Sequence, residues 1–212
     1  MKRNKPIPLE QIGSLFEEYL NWPLIAIKLH HATRLHFDLR FECNGVVYSF
    51  VLPLGISRDP NVSREAIYGD DTHGISGLSW EGVFPAGMPG AGPMLAWEFG
   101  RYRDCTMVND QPVPFDVAFK MGRIEFEVNG YRLKGKFILE RREGQENVWD
   151  IRKLPDEHAV IGCDIAQTAV TSVLSGKTLK QILTDSRPKK PKRQPSGQLT
   201  MFGNELVSTH SQ

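Results

Sequence analysis

Two residues, Asn44-Gly45, stand between two runs in which apolar and polar side chains alternate, and they constrain the local fold more tightly than any other stretch of the chain. Asn-Gly supplies the two positive-φ positions of a two-residue turn, and a period of two sends successive side chains to opposite faces of a strand. Residues 36–52 are therefore expected to form a tight antiparallel hairpin. Counting outward from the turn, Asp38 falls opposite Val51 and Arg40 opposite Ser49, while Phe37, Leu39 and Phe41 face the other way.

The alternation extends back to Ile25, and further strands are expected at Met94–Phe99, Arg123–Val128, Tyr131–Glu140 and Val148–Lys153, with a second turn at Asn129-Gly130. Gly and Pro crowd 74–100, as in loop that lines a site. Many short strands separated by turn signals point to a barrel or a sandwich. Ile12, Leu15, Phe16 and Leu20 recur at helical spacing within Pro8–Leu20, and a short helix is expected at Lys177–Leu183.

A chain of 212 residues, 40% hydrophobic and 24% charged, can bury one substantial core with appendages. No apolar run approaches the roughly 20 residues that span a bilayer, and MKRNKPIPLE lacks a signal peptide's apolar stretch, so a cytoplasmic protein without membrane contact is expected. Cys43, Cys105 and Cys163 are too widely spaced for a disulfide framework or a zinc knuckle and are taken as reduced packing residues. A net charge of +1 excludes a strongly basic nucleic-acid binder, but the cations are unevenly placed: five of the seven residues in Arg187–Arg193 are basic and two are proline. Such a segment cannot bury a core and is expected to be a solvated linker.

Chemistry concentrates between Lys28 and Glu42. On a strand, His36, Asp38, Arg40 and Glu42 share one face, beside small or apolar neighbours, as they would inside a barrel cavity. His36 and Asp38 can share a metal ion, and His30 stands an even number of residues upstream. Two imidazoles and a carboxylate leave coordination positions open for water and substrate, the pattern of a catalytic site, and a hard divalent ion such as Mn²⁺ suits that set together with phosphate. Arg40 offers a planar fork of donors to phosphate oxygens. A lone strand histidine is usually a satisfied polar side chain, but that reading leaves four ionisable residues on one face unexplained.

The segment His30–Arg40 is similar to the KHxAxxLHYDxRLE pattern of the 3′-phosphoesterase domain of bacterial DNA ligase D, with Phe37 in place of tyrosine. Asn44-Gly45-Val46, Val51–Gly55, Glu81–Gly87, Gly90-Ala-Gly92, Tyr131–Lys136 and the Trp149 strand continue the resemblance, which covers about residues 25–155. It implies a mainly β chain: a small closed β-barrel of about eight strands with peripheral short helices and a disordered C-terminal tail. The expected division is 1–23 helix and linker, 24–155 barrel, 156–186 extension with a short helix, and 187–212 basic tail. The resemblance further implies a Mn²⁺-dependent enzyme that removes a 3′-terminal ribonucleotide and then the 3′-phosphate, acting on DNA or RNA ends, with His30, His36 and Asp38 as metal ligands. Arg40 then falls on the phosphate-binding arginine, and His73, eight residues before Glu81, on the active-site histidine. A monomer is expected, working beside the ligase and polymerase of an end-joining pathway.

The sequence departs from the family at Gly77, where a catalytic tyrosine usually stands, and at Leu54, often lysine. An Arg-Asp and Glu cluster usually preceding the motif is absent from residues 1–24. An end-binding module of weak or no activity is therefore one alternative. A non-haem iron oxygenase is another, since His36-Phe37-Asp38 satisfies its HxD element, with His73 or His158 completing the triad. In the tail, Gln198-Leu-Thr-Met-Phe-Gly203 resembles the peptide with which bacterial repair proteins dock on the β sliding clamp. Gln198, Leu199, Met201 and Phe202 are the expected contacts.

Overall fold

β1 (Leu24–His31) runs antiparallel to β2 (Leu35–Cys43), and Asn44-Gly45 turns β2 into β3 (Val46–Leu52) in the computed structural model, which describes residues 17–69 and 74–186. Asn44 and Gly45 take φ of 52° and 83°, the left-handed pair that matches strand twist, and Asp38 pairs with Val51 and Arg40 with Ser49 as the turn requires. β4 (Ser63–Gly69) pairs with β3. After a 3-10 turn at Ile75–Leu78 come β5 (Gly82–Phe84) and the long β6 (Gly92–Asp104). A two-stranded ribbon, β7 (Met107–Val108) and β8 (Gln111–Pro112), leads to helix α1 (Phe115–Met121). β9 (Arg123–Gly130), β10 (Lys134–Arg141) and β11 (Val148–Lys153) follow as a meander, and then the short helices α2 (Ile165–Thr168) and α3 (Leu179–Asp185).

The sheet order β1-β2-β3-β4-β11-β10-β9-β6 closes because β6 also pairs with β1, giving the eight-stranded antiparallel barrel that the resemblance implied. β5 flanks β6 outside the ring. A bulge opposite Ile27/Lys28 shifts the β1–β6 register, from Ile27 against Glu98 to Lys28 against Ala96.

Ile27, Leu29, Phe37, Leu39, Phe41, Phe50, Trp97, Phe126, Phe137 and Trp149 are buried in one cluster fed by the barrel strands. The Phe41 ring alone meets Phe50, Tyr102, Phe115 and Phe126. An eight-stranded barrel has room for its own side chains or one small ligand, and here the aromatic parity of β2 fills that space. The expected placement of the polar row inside a barrel cavity is therefore wrong: His36, Asp38 and Arg40 lie on the outer wall.

Two other expectations change. Asn129-Gly130 is not a turn but the end of β9, paired with both Lys134 and Arg101. The chain reverses at Tyr131–Leu133 instead, where both carboxylate oxygens of Glu98 accept backbone N–H groups of Tyr131, Arg132 and Leu133. α3 begins at Leu179, two residues after the expected start, because Thr178 and Gln181 form a capping box. β4 and α1 had no expectation at all. Of the N-terminal helix only a 3-10 turn, Glu17–Tyr19, falls within the described residues.

The segment after β11 lies against β6. The Trp97 indole N–H donates to the Ala169 carbonyl at 2.6 Å and the Val173 N–H to that of Ala96 at 2.8 Å. The three cysteines are half-buried free thiols, and among the described residues no helix is long and apolar enough to cross a membrane.

Candidate metal centre

Antiparallel pairing of β1 with β2 sets His30 directly across from His36 and Lys28 across from Asp38. Direct cross-strand neighbours have Cβ atoms about 5 Å apart, so the register alone brings the two imidazoles together. Their ring centroids are 4.9 Å apart. Asp38 projects between them, with one carboxylate oxygen 3.6 Å from His30 Nδ1 and the other 3.2 Å from His36 Nε2. One ligand atom from each of the three residues lies within 4.8 Å of the others, the single group of three or more His, Cys, Asp or Glu with this property among the described residues.

Both imidazoles are oriented from behind. His30 Nε2 is 2.8 Å from the Gly90 carbonyl and His36 Nδ1 is 2.9 Å from that of Arg34. A carbonyl only accepts, so each of these nitrogens carries a ring proton, and His30 Nδ1 and His36 Nε2 face Asp38, donating to its carboxylate when the ring is protonated and offering a lone pair once that proton leaves. Histidines that ligate metals are ordinarily fixed in this way by a carbonyl or carboxylate on the far nitrogen. The donor set of two nitrogens and one carboxylate fits a single divalent cation with coordination positions to spare.

Charge around the cluster is balanced. Burial alone would raise the Asp38 pKa, but hydrogen bonds from His30 and His36 and the nearby Arg40 hold it well below the ordinary carboxylate range. The hydrogen bond to Asp38 raises the pKa of His36. Arg40 is buried, its Nη2 3.7 Å from Asp38. Glu42, the last member of the polar row, accepts the backbone N–H of Gly45 and stabilises the hairpin turn.

The loop between the 3-10 turn and β6 covers one side of the cluster. It carries Gly90, and it is pinned at Trp80, whose carbonyl accepts from Lys28 Nζ at 2.9 Å, and at Glu81, whose carboxylate accepts the Ala96 N–H at 2.8 Å. Lys28 is fully buried, and desolvation, reinforced by Arg40, lowers its pKa to about 7. Sequence reasoning passed over Lys28, although a lysine on the same strand parity as His30, between Ile27 and Leu29, was a usable signal.

The structure brings together His30, His36, Asp38 and Arg40. His73 lies outside the described residues, as do Gln198, Leu199, Met201 and Phe202. His158 stands on the segment after β11, beside Glu157 and outside the cluster, so it does not complete an oxygenase triad with His36 and Asp38. Gly77 sits in the 3-10 turn, where its N–H donates to the Gly74 carbonyl.

A closed antiparallel barrel with a His-His-Asp-Arg cluster on its outer wall defines a β-barrel protein with a candidate metal site. The chain belongs to the family of the DNA Ligase D 3′-phosphoesterase domain, which residues 28–141 match. It is 31% identical over 131 residues to the multifunctional non-homologous end joining DNA repair protein LigD of Mycobacterium tuberculosis, covering 62% of this chain and 16% of the relative. It is 32% identical over 157 residues to the LigD of Pseudomonas aeruginosa, covering 72% and 18%, and 32% over 133 residues to that of Mycolicibacterium smegmatis, covering 62% and 17%. The match thus takes in less than a fifth of each relative's length.

Proposed function

We propose that this chain is a metal-dependent phosphoesterase that heals 3′ ends, removing a terminal ribonucleotide or a phosphate from DNA or RNA ends in the service of end joining. The observation that carries the reading is the convergence of His30 Nδ1, His36 Nε2 and Asp38 beside Arg40, on a chain of the 3′-phosphoesterase family. These three side chains would hold Mn²⁺ or a similar cation. When bound, such an ion supplies Lewis-acid polarisation of the phosphoryl oxygens and a water of lowered pKa.

The remaining steps belong to the chain's own residues. Arg40, buried and positively charged, binds phosphate oxygens and offsets the charge that grows on them, an effect strengthened where water is excluded. Asp38 remains ionised through its hydrogen bonds to both histidines. The Gly90 and Arg34 carbonyls keep the imidazoles from rotating away. His73 is assigned the role of stabilising the transition state or moving a proton on the strength of its position eight residues before Glu81. The Gly77 backbone brings no hydroxyl to its turn, and this favours a second reading, a module that holds ends without hydrolysing them.

The two readings separate in one assay. With Mn²⁺, the purified chain is expected to release phosphate from a labelled primer ending in a 3′-phosphate and, from one ending in a 3′-ribonucleotide, the terminal nucleoside with a 3′-phosphate left behind, and His36→Ala to abolish both. Binding of the primer without turnover would establish the module instead, and turnover undiminished in His36→Ala would remove the cluster from the mechanism.

A further inference from the structure

Phosphate and cation account for the charged half of the site but leave an apolar half unused. Phe84 on β5 has its ring 5.9 Å from that of His30, and the Trp80 indole lies 4.8 Å from Phe84 at 45°. Trp80 is exposed, with 39% of its surface open, and Met88 on the same loop is 56% exposed. Trp80 thus packs one part of its indole on Phe84 and leaves the rest open to solvent, outside the barrel core.

The shelf is built rather than incidental. A Cβ on Gly82 would sit 2.5 Å from Trp80 Cζ2, so glycine at this position lets the indole lie against β5. The peptide carrying the indole is fixed on both sides, through Trp80 O to Lys28 Nζ and through the Glu81 carboxylate to Ala96 N–H. A ring held this way stacks on a partner with little further loss of freedom.

We propose that Trp80 and Phe84 stack the base of a terminal nucleoside lying beyond the reacting phosphate, so that the site favours 3′ ends carrying a nucleotide over ends carrying a bare phosphate. This inference rests on the phosphoesterase reading above. Every base has a π-face, so an aromatic shelf accepts a nucleoside without sequence preference. The lateral order β5-β6-β1-β2 sets the shelf on one side of His30 and Arg40 on the other. A phosphate held by Arg40 over the cluster therefore has the shelf on the side away from the arginine, where a leaving nucleoside would stack.

The test uses the full chain, wild type, Trp80→Ala and Trp80→Phe, on two primers of one sequence, one ending in a 3′-ribonucleotide and one in a 3′-phosphate. The kcat/KM ratio of the first to the second is expected to fall about tenfold or more in W80A and to be held in W80F. A ratio unchanged in W80A overturns the proposal, and so does an equal loss on both primers, which would place the shelf under the upstream strand. Anisotropy of the same labelled primers without metal supplies a readout independent of turnover. If wild type cuts neither primer, the phosphoesterase reading fails by itself. The shelf then stands if W80A weakens binding of the ribonucleotide end alone, and falls if both ends bind W80A as they bind wild type.

Discussion

A protonated imidazole has no lone pair to give, so the proton and the cation compete for His36 Nε2. The hydrogen bond to Asp38 raises the His36 pKa above its ordinary 6.5, which moves this competition upward in pH. Apparent Mn²⁺ affinity is therefore expected to be highest above that raised pKa and to fall, by about tenfold per pH unit, as pH drops through it. Manganese titrations at pH 6 and pH 8 check this, and equal affinity at both would show that His36 is not a ligand. Parity along β2 made His36, Asp38 and Arg40 legible whichever way that strand faces, whereas His30 stands on β1 and joins them through the register that sets it across from His36. Which way β2 faces was not legible, since aromatic and charged residues alternate with the same period. Only closure of the ring around Phe37, Leu39 and Phe41 turns the charged parity outward.

At the level of elements, the β9–β10 connection depends on one carboxylate. Glu98 is fully buried and accepts N–H groups from Phe99, Tyr131, Arg132 and Leu133, and burial pushes its pKa up to about 7 in spite of these donors. A carboxyl whose folded pKa exceeds its unfolded value of 4.5 gives its full stabilisation below 4.5 and loses it as pH rises toward 7. Wild type relative to Glu98→Gln should thus lose up to about 3 kcal/mol between pH 4.5 and pH 7.5, measured by urea unfolding. A constant difference across that range would contradict the assignment. This turn was misplaced in the sequence because Asn129-Gly130 carries the stronger local signal. The tertiary contact that overrides it, from Glu98, is more than thirty residues away. The hairpin at Asn44-Gly45 had no such competitor, and its register follows from the sequence directly.

For the whole molecule, the barrel and the segment that follows it are joined by buried polar contacts. Lys153 is fully buried and bonded to Asp156, whose carboxylate also receives the backbone N–H groups of Lys136 and His158. Ending the chain at residue 155 removes Asp156 along with the partners of Trp97 and Ala96. Losing the carboxylate of a buried ion pair costs about 3–5 kcal/mol, and leaves the Lys136 and Leu154 carbonyls to accept from Lys153 Nζ. The truncated chain is expected to lose at least about 3 kcal/mol of stability in urea unfolding, and a loss under 1 kcal/mol would show the barrel to be self-sufficient. Closure of β1 on β6 was visible in the sequence only through the family resemblance, because no local pattern announces a pairing between strands separated by some sixty residues.

Whether His30, His36 and Asp38 bind a cation is decided most directly by counting it. Titrating the purified chain with Mn²⁺ at pH 8 and following free ion by electron paramagnetic resonance should give one ion bound per chain. Asp38→Asn, at unchanged circular dichroism, should weaken that binding by about 100-fold or more. No saturable binding in wild type, or equal binding in Asp38→Asn, would contradict the account.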